Sequence, residues 1–433
     1  MGSSKRVLTA AALTSAALLL AACGGGGETS EGSTTGEGGD VTLTWWHNSN
    51  NEPGLGYYEQ VAADFEAANE GVTIEITPMA HQDMLTRLDA AFQTGDAPDV
   101  YMERGGGELA AHVDAGLTMD LTELAAEEIE MMGPSVGGWQ YEGKTYALPF
   151  SVGVVGFWYN TDLFEQAGIT EAPETMEDLY AAIDALKAAG IEPISVGAGE
   201  KWPAAHYWYY FVTRQCSEDV LAETADTMDF SDECFVRAGE DLEELVAAEP
   251  FNAGFLATPA QTGPTSASGL LATEQVAMEL AGHWEPGVMQ GLTEDQQGLG
   301  DKTGWFPFPT VEGGEGDPAA PMGGGDAWAC SADAPPECVE FIRYLLSDEV
   351  QSGFAELGMG VPTNPNAIAS LTNPALADLV TIRDEAPYVQ LYLDTLFGEN
   401  VGGAMNDTIA LVFAGQAGAQ DIVDATQAAA GTR

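Results

Sequence analysis

Residues 41–102 read VTLTWWHNSNNEPGLGYYEQVAADFEAANEGVTIEITPMAHQDMLTRLDAAFQTGDAPDVYM. Their hydrophobic period switches back and forth between two and about 3.6. Residues 41–46 alternate as a strand, and 57–69 place Tyr58, Val61, Ala62, Phe65 and Ala68 at helical spacing. A second strand over 74–77, a second helix over 84–92, a third strand over 98–102 and a helix over 108–114 follow. This βαβαβα order predicts an α/β lobe built on a mostly parallel sheet.

Downstream, a turn-rich segment over 133–146 leads through Leu148, Pro149 and Phe150 into a strand predicted over 152–159. A second α/β series then begins, with a helix near 162–166 and another over 176–189 that has Thr175 as N-cap and Gly190 as stop. Its next strand covers 194–196. A change of lobe is therefore expected near Ser151. Trp305, Phe306, Pro307, Phe308 and Pro309 read as an extended crossing segment, because proline excludes helix. A strand over 323–329 and a helix over 336–346 return to the first lobe, and the alanine-rich remainder closes the second. The expected division is 41–151 with about 306–358 for lobe 1, and 152–305 with about 359–433 for lobe 2. Two lobes also suit the length, since about 390 residues exceed the ~250–300 that one core supports.

The first forty residues say where the protein is expected to reside. Lys5 and Arg6 precede an apolar run over 7–20, followed by Leu20, Ala21, Ala22 and Cys23. Residues 1–22 read as a secretory signal peptide ending in a lipobox, and the Gly/Ser/Thr/Glu stretch over 23–40 reads as a flexible tether. Cys23 is the expected lipidation site, as in bacterial lipoproteins. Two or three acyl chains, at roughly 0.8 kcal/mol per buried CH₂, hold a protein stably at the outer face of the cytoplasmic membrane. The expected location is extracellular and lipid-anchored, with no other membrane contact.

Thirteen Lys and Arg against 68 Asp and Glu give a formal charge of -55. Such a field repels the phosphates of nucleic acid. Most of the acids fall on solvated helix faces, as in Glu123, Glu127, Glu128 and Glu130. Beyond Cys23 the cysteines fall in two local pairs, Cys216 with Cys234 and Cys330 with Cys338, which in an exported chain read as two disulfides. No C-x-x-C or Cys/His spacing suggests a metal, and the five histidines are scattered. Arg104 followed by Gly105–Gly107 lacks the lysine and spacing of a phosphate loop and reads as a tight strand-to-helix turn. Neither a metal nor a cofactor is expected.

Aromatic and neutral polar residues gather where the strands should end, which is where ligands sit in open α/β sheets. Trp45 and Trp46 close the first strand and lead into His47, Asn48, Ser49, Asn50 and Asn51. One tryptophan must face the core, so Trp46 and its polar successors His47, Asn48 and Ser49 are the ligand candidates. A second cluster, Lys201 to Tyr210, reads mostly as core, with His206 near one edge of a helix begun by Pro203 and Trp202 in the loop before it. In a third, an apolar strand ends in Gly282, His283 and Trp284, a flat apolar face beside hydrogen-bonding groups that suits a sugar ring. A fourth, Gly323 to Trp328, offers backbone access at Gly325 and a hydroxyl-binding carboxylate at Asp326.

Several ordered segments carry a resemblance. The lipobox, Trp45-Trp46, Ala97-Pro98-Asp99-Val100, Ala115-Gly116-Leu117, Tyr159-Asn160-Thr161-Asp162-Leu163-Phe164, Ala281-Gly282-His283-Trp284 and Phe306-Pro307-Phe308-Pro309 together resemble the extracellular solute-binding proteins of carbohydrate ABC importers, of the broad maltose-binding type. Lys201 to His206, Gly323 to Asp326 and Gln390 to Asp394 look like the actinobacterial oligosaccharide and xylobiose-type branch. The resemblance implies a type II periplasmic-binding-protein-like α/β fold, with hinged lobes joined by three crossings and a sugar in the cleft. It adds Asp394 and Arg104 to the candidates. Family members often carry tryptophan where Arg104 stands, and arginine both stacks and donates to oxygens.

The expected function is therefore that of a lipid-anchored, monomeric binding protein with no catalytic step. It would deliver a neutral oligosaccharide, xylobiose or a similar short sugar, to ABC permease subunits. The rival is a secreted glycoside hydrolase, which needs two carboxylates flanking the scissile bond. With 68 acids a pair can always be proposed, and no distinctive catalytic signature accompanies one.

Overall fold

Trp45 lies at the centre of the first lobe. In the computed structural model, which describes residues 40–431, its ring meets Tyr58, Trp328 and Phe341 edge-on at 5.2, 5.3 and 5.0 Å. It belongs to β1 (Val41–His47), whose Leu43, Trp45 and His47 point inward while alternate residues stay partly exposed. Burying each such large side chain contributes roughly 1.5–3 kcal/mol. β1 runs parallel to β2 (Val72–Pro78) and β3 (Val100–Glu103), joined through the helices Gly54–Ala68 and His81–Thr94. The expected signal peptide over 1–22, Cys23 and all but the last residue of the tether expected over 23–40 lie outside the described residues.

A short hairpin of β4 (Gln140–Tyr141) and β5 (Lys144–Thr145) precedes β6 (Ala147–Val154). The second sheet has the order β10-β7-β9-β8, made of β7 (Gly156–Asn160), β8 (Glu192–Ser195), β9 (Val276–Ala281) and β10 (Thr303–Phe306). The chain then returns to the first sheet as β11 (Met322–Cys330), antiparallel to β3 and β6, with β12 (Gln390–Leu391) parallel at its edge.

The two-lobed α/β fold is present, with mixed sheets. The βαβ units supply parallel pairs, but β11 arrives by a crossing from the second lobe and so enters its sheet in the opposite sense. In the second sheet β8 pairs parallel with β9, whereas β7 pairs antiparallel with both β9 and β10. The single strand predicted over 152–159 is in fact two, because Val155 separates β6 from β7 and the chain changes sheet there. β12 also departs from expectation: residues 390–391 were placed with the second lobe, yet they hydrogen-bond to β11 of the first sheet. Helices Glu399–Phe413 and Ala419–Ala430 pack in the same core as the helix Trp202–Gln215 beneath the second sheet.

Local chemistry sets several boundaries. The helix Met176–Ala188 begins with a reciprocal capping box between Thr175 and Asp178. Cys216 and Cys234 are bonded, tying the end of the helix Trp202–Gln215 to the start of Glu233–Ala247, with Cα atoms 5.1 Å apart. Cys330 and Cys338 join β11 to the helix Glu337–Leu345, with Cα atoms 6.1 Å apart. Both separations suit a disulfide. Among the described residues no helix is long and apolar enough to cross a membrane.

Candidate functional site

A cleft of about 360 Å³ is lined by residues that follow strand ends of both sheets. Asn48, Ser49, Arg104, Trp202, His206, Trp284, Gly325, Asp326 and Asp394 all line it. Trp46 and His47 do not. Trp46 sits on the opposite face of β1 from Trp45 and packs, half-buried, on the neighbouring apolar clusters. His47 shares the inward face with Trp45 and is fully buried against Tyr58. Its role is indirect, since Nδ1 accepts the Ser49 N–H at 3.2 Å and so shapes the loop that lines the cleft. Burial drives its pKa down to about 3, which keeps that nitrogen an acceptor.

Trp202 is the first residue of its helix rather than part of a preceding loop, because Pro203 needs no N–H bond in the first turn. Its ring meets Trp284 at 6.2 Å and 69°. One turn on, His206 stacks on Tyr392 at 5.3 Å and 12°. Tyr207 to Phe211 of the same helix are buried in the core.

Trp284 follows β9, and Gly282 makes its position possible. A Cβ on Gly282 would lie 2.3 Å from the Trp284 ring, and its carbonyl is held by the Trp158 Nε1–H at 2.9 Å. On the other wall, β6 and β11 approach so closely that a Cβ on Gly325 would stand 1.8 Å from the Ser151 carbonyl oxygen. The register shifts between Asp326 and Ala327, and this irregularity accompanies the exit of Asp326 into the cleft. Ser151 also links the walls, with Oγ 2.9 Å from His283 Nε2 and 3.1 Å from the Val361 carbonyl. The hydroxyl has one proton, so when it donates to Val361 the His283 Nε2–H donates to Ser151.

Arg104 is the only lysine or arginine among the described residues of the lining. Its Nη2 lies 3.2 Å from Asp394 Oδ2 and also donates to the Thr395 hydroxyl, and its Nε lies 3.8 Å from Glu108. Burial pushes the Asp394 carboxyl up, but Arg104 and His206 together override it and hold the group below the usual carboxylate range. Glu108 is raised by burial to about 7 despite Arg104, and Asp326 by burial to about 6. His81, His206 and His283 are brought down by burial to about 3, 4 and 3. Near neutral pH the cleft thus offers neutral imidazoles, paired charge at Arg104 and, at Asp326, an ionised carboxylate that, among the described residues, accepts no hydrogen bond from the protein. Such groups match hydroxyls. Among the described residues no cluster of three His, Cys, Asp or Glu side chains could hold a metal.

His81, Tyr392 and Asn406 also line the cleft and were not singled out in the sequence. His81 opens the helix after β2, so the strand-end rule that exposed Asn48 would have reached it; it is 3.2 Å from Asn48 Nδ2. Tyr392 directly follows β12 and lies in the Gln390–Asp394 segment that drew attention only to Asp394, whereas Asn406 carried no such signal, because it reaches the cleft from the middle of the helix Glu399–Phe413.

A family model described as bacterial extracellular solute-binding protein matches residues 48–352. The diacetylchitobiose binding protein DasA of Streptomyces coelicolor is 24% identical over 347 residues, which is 78% of this chain and 76% of that one. A binding protein of Brucella abortus is 29% identical over 171 residues, 38% of this chain, and the match spans only 40% of the relative's length. A structure from work on xylan utilization by the thermophilic bacterium Caldanaerobius polysaccharolyticus superposes with a TM-score of 0.82 at 23% identity, covering 90% of this chain and 99% of that one. A chitin oligosaccharide binding protein gives 0.81 at 24% identity, covering 91% and 99%. With 48–352 matched and the two-lobed architecture in common, the chain belongs to the bacterial extracellular solute-binding proteins.

Proposed function

We propose that this protein captures a neutral oligosaccharide in the cleft and delivers it, unaltered, to the permease subunits of an ABC importer. The observation that carries the reading is the meeting of Trp202 and Trp284 at 6.2 Å in one cleft with Asp326 and the Arg104–Asp394 pair. Indole faces suit the C–H face of a sugar ring, and carboxylates and guanidinium suit its hydroxyl rim. Trp284 is read as the stacking platform and Asp326 as the hydroxyl acceptor opposite it, with Asn48, Ser49, Trp202, His206, Gly325 and Asp394 completing the site.

In this reading residues 41–151 with about 306–358 and 152–305 with about 359–433 act as lobes that close on the sugar, except that 152–154 and 390–391 pair in the first sheet. Cys23 tethers the monomer to the outer face of the cytoplasmic membrane. The named relatives that bind diacetylchitobiose and chitin oligosaccharide support a short oligosaccharide as the ligand.

A thermal-shift screen against xylo-, malto- and chito-oligosaccharides tests it, since a ligand that binds only the folded state raises Tm by mass action. A rise of several degrees with one series, with that sugar intact on chromatography, is expected. Sustained hydrolysis, or no shift with any sugar, would overturn the reading.

A further inference from the structure

Behind the cleft two glutamates converge on one serine. Ser268 Oγ lies 3.4 Å from Glu279 Oε1 and 3.1 Å from Glu285 Oε2, with the Ala260 carbonyl also at 3.4 Å. Glu279 is 4% exposed, and Glu285 and Ser268 are fully buried. Among the described residues neither carboxyl has an ion-pair partner; the two side chains hydrogen-bond each other, and Glu279 Oε2 and Glu285 Oε1 find no other donor.

The hydroxyl of Ser268 carries one proton and can donate to one acceptor. It can serve only one of its three acceptors, and the hydrogen bond between Glu279 and Glu285 requires a proton on one of the two carboxyls. Two ionised carboxylates in a buried site without a cation would each be unsupported and would repel one another.

The groups that face the pair supply no positive charge. Glu279 sits in β9 opposite Trp158 of β7 and Ser195 of β8, and Tyr207 faces it from the helix Trp202–Gln215. Ser268 comes from the helix Ala267–Ala272. Burial and the neighbouring carboxyl raise Glu279 well above its ordinary value, and burial raises Glu285 to about 8.

The position of this pair matters because Trp284 stands between its members in the chain. Glu279 anchors the strand that ends before Trp284, and Glu285 is the next residue, opening the helix Glu285–Gly291. The Glu285 N–H also donates to the Gly282 carbonyl at 3.1 Å, closing the turn that carries Trp284.

We propose that Glu279, Ser268 and Glu285 form a proton-sharing clasp that positions the Trp284 platform, so that sugar affinity depends on carboxyls that never touch the sugar. This rests on the reading of Trp284 as the stacking residue. A group whose value is raised by folding stabilises fully below the ordinary carboxyl range and loses that contribution as pH rises through the raised value. The platform is held at neutral pH and loosens in alkali.

The test uses the whole mature chain and the variants Glu285→Gln and Glu279→Gln, which keep a hydrogen-bonding donor without a charge. In wild type, infrared spectroscopy at neutral pH should show a protonated carboxylic acid carbonyl band that Glu285→Gln weakens or removes. Calorimetry with xylobiose and diacetylchitobiose from about pH 6 to about pH 9 should show wild-type affinity falling by up to about tenfold per pH unit at the alkaline end. Glu285→Gln should keep neutral-pH affinity and flatten that profile. A merely structural pair would give the same profile in both proteins, and that result, or absence of the acid band, overturns the proposal. If neither sugar binds, the sugar reading is in doubt but the clasp is still decided. The ¹⁹F resonance of 5-fluorotryptophan at 284, assigned with Trp284→Phe, should shift with alkali in wild type and stay put in Glu285→Gln; a shift common to both would overturn the clasp.

Discussion

The Arg104 guanidinium lies 3.2 Å from the Asp394 carboxylate, and this ion pair takes up the one lysine or arginine charge in the described lining of the cleft. Both side chains are about 15% exposed, so the pair is only weakly screened by water. Arg104 can still donate through its free N–H groups, but its charge is already matched by Asp394.

A first consequence is charge selectivity. An oligosaccharide carrying a uronic acid should bind at least about tenfold more weakly than its neutral counterpart, because its carboxylate would face Asp326, Glu108 and Asp394 with no unmatched cation to meet it. Asp394→Asn should narrow that gap by releasing Arg104, while weakening the neutral sugar by about tenfold, the worth of one charge-assisted hydrogen bond. Calorimetry with the matched pair of sugars checks both; equal binding of acidic and neutral sugars by the wild type would count against this account.

The aromatic platform can be tested separately. Trp284→Ala should weaken sugar binding by about ten- to a hundred-fold, the equivalent of ~1–3 kcal/mol of completed burial, with little change in Tm. If affinity is unchanged, or if the variant unfolds, Trp284 serves the core and not the ligand.

Acid should weaken binding through Asp326. Burial raises its carboxyl to about 6, so ionising it costs the folded apo protein stability, which is fully present below the ordinary carboxyl value and lost as pH rises through about 6. Sugar hydroxyls donate to the ionised form and lower that value, so affinity should rise from about pH 5 to about pH 7, before the alkaline fall that the Glu279–Glu285 pair imposes. In Asp326→Asn the rise should vanish. An identical pH profile in the variant would assign the dependence elsewhere.

Reduction of the disulfides should lower Tm stepwise. In the chain-entropy picture the bridge across 18 positions stabilises by about 3 kcal/mol and the bridge across 8 by about 2.5 kcal/mol. Melting of Cys216→Ser/Cys234→Ser and Cys330→Ser/Cys338→Ser double variants measures each. Non-reducing peptide maps showing crossed pairs or free thiols would refute the pairing.

Periodicity and cysteine spacing were enough to read the βαβαβα start, the partnering of Cys216 with Cys234 and of Cys330 with Cys338, and the strand-end loops carrying Asn48 and Trp284, whereas Asp326, expected at a strand end, lies within β11 at its register irregularity. These are local properties, encoded in which side chains alternate and which residues punctuate them. Which face of β1 served the cleft was not local. Leu43, Trp45 and His47 share one face, and only packing against Tyr58 and Phe341 decided that His47 would be sealed inside and Trp46 would lie outside the cleft. The same holds for Tyr392 and Asn406, for the antiparallel entry of β11, and for the meeting of Glu279 and Glu285 at Ser268. Each depends on segments far apart in the chain being brought together, and burial there sets the protonation of side chains whose one-dimensional neighbours say nothing of it.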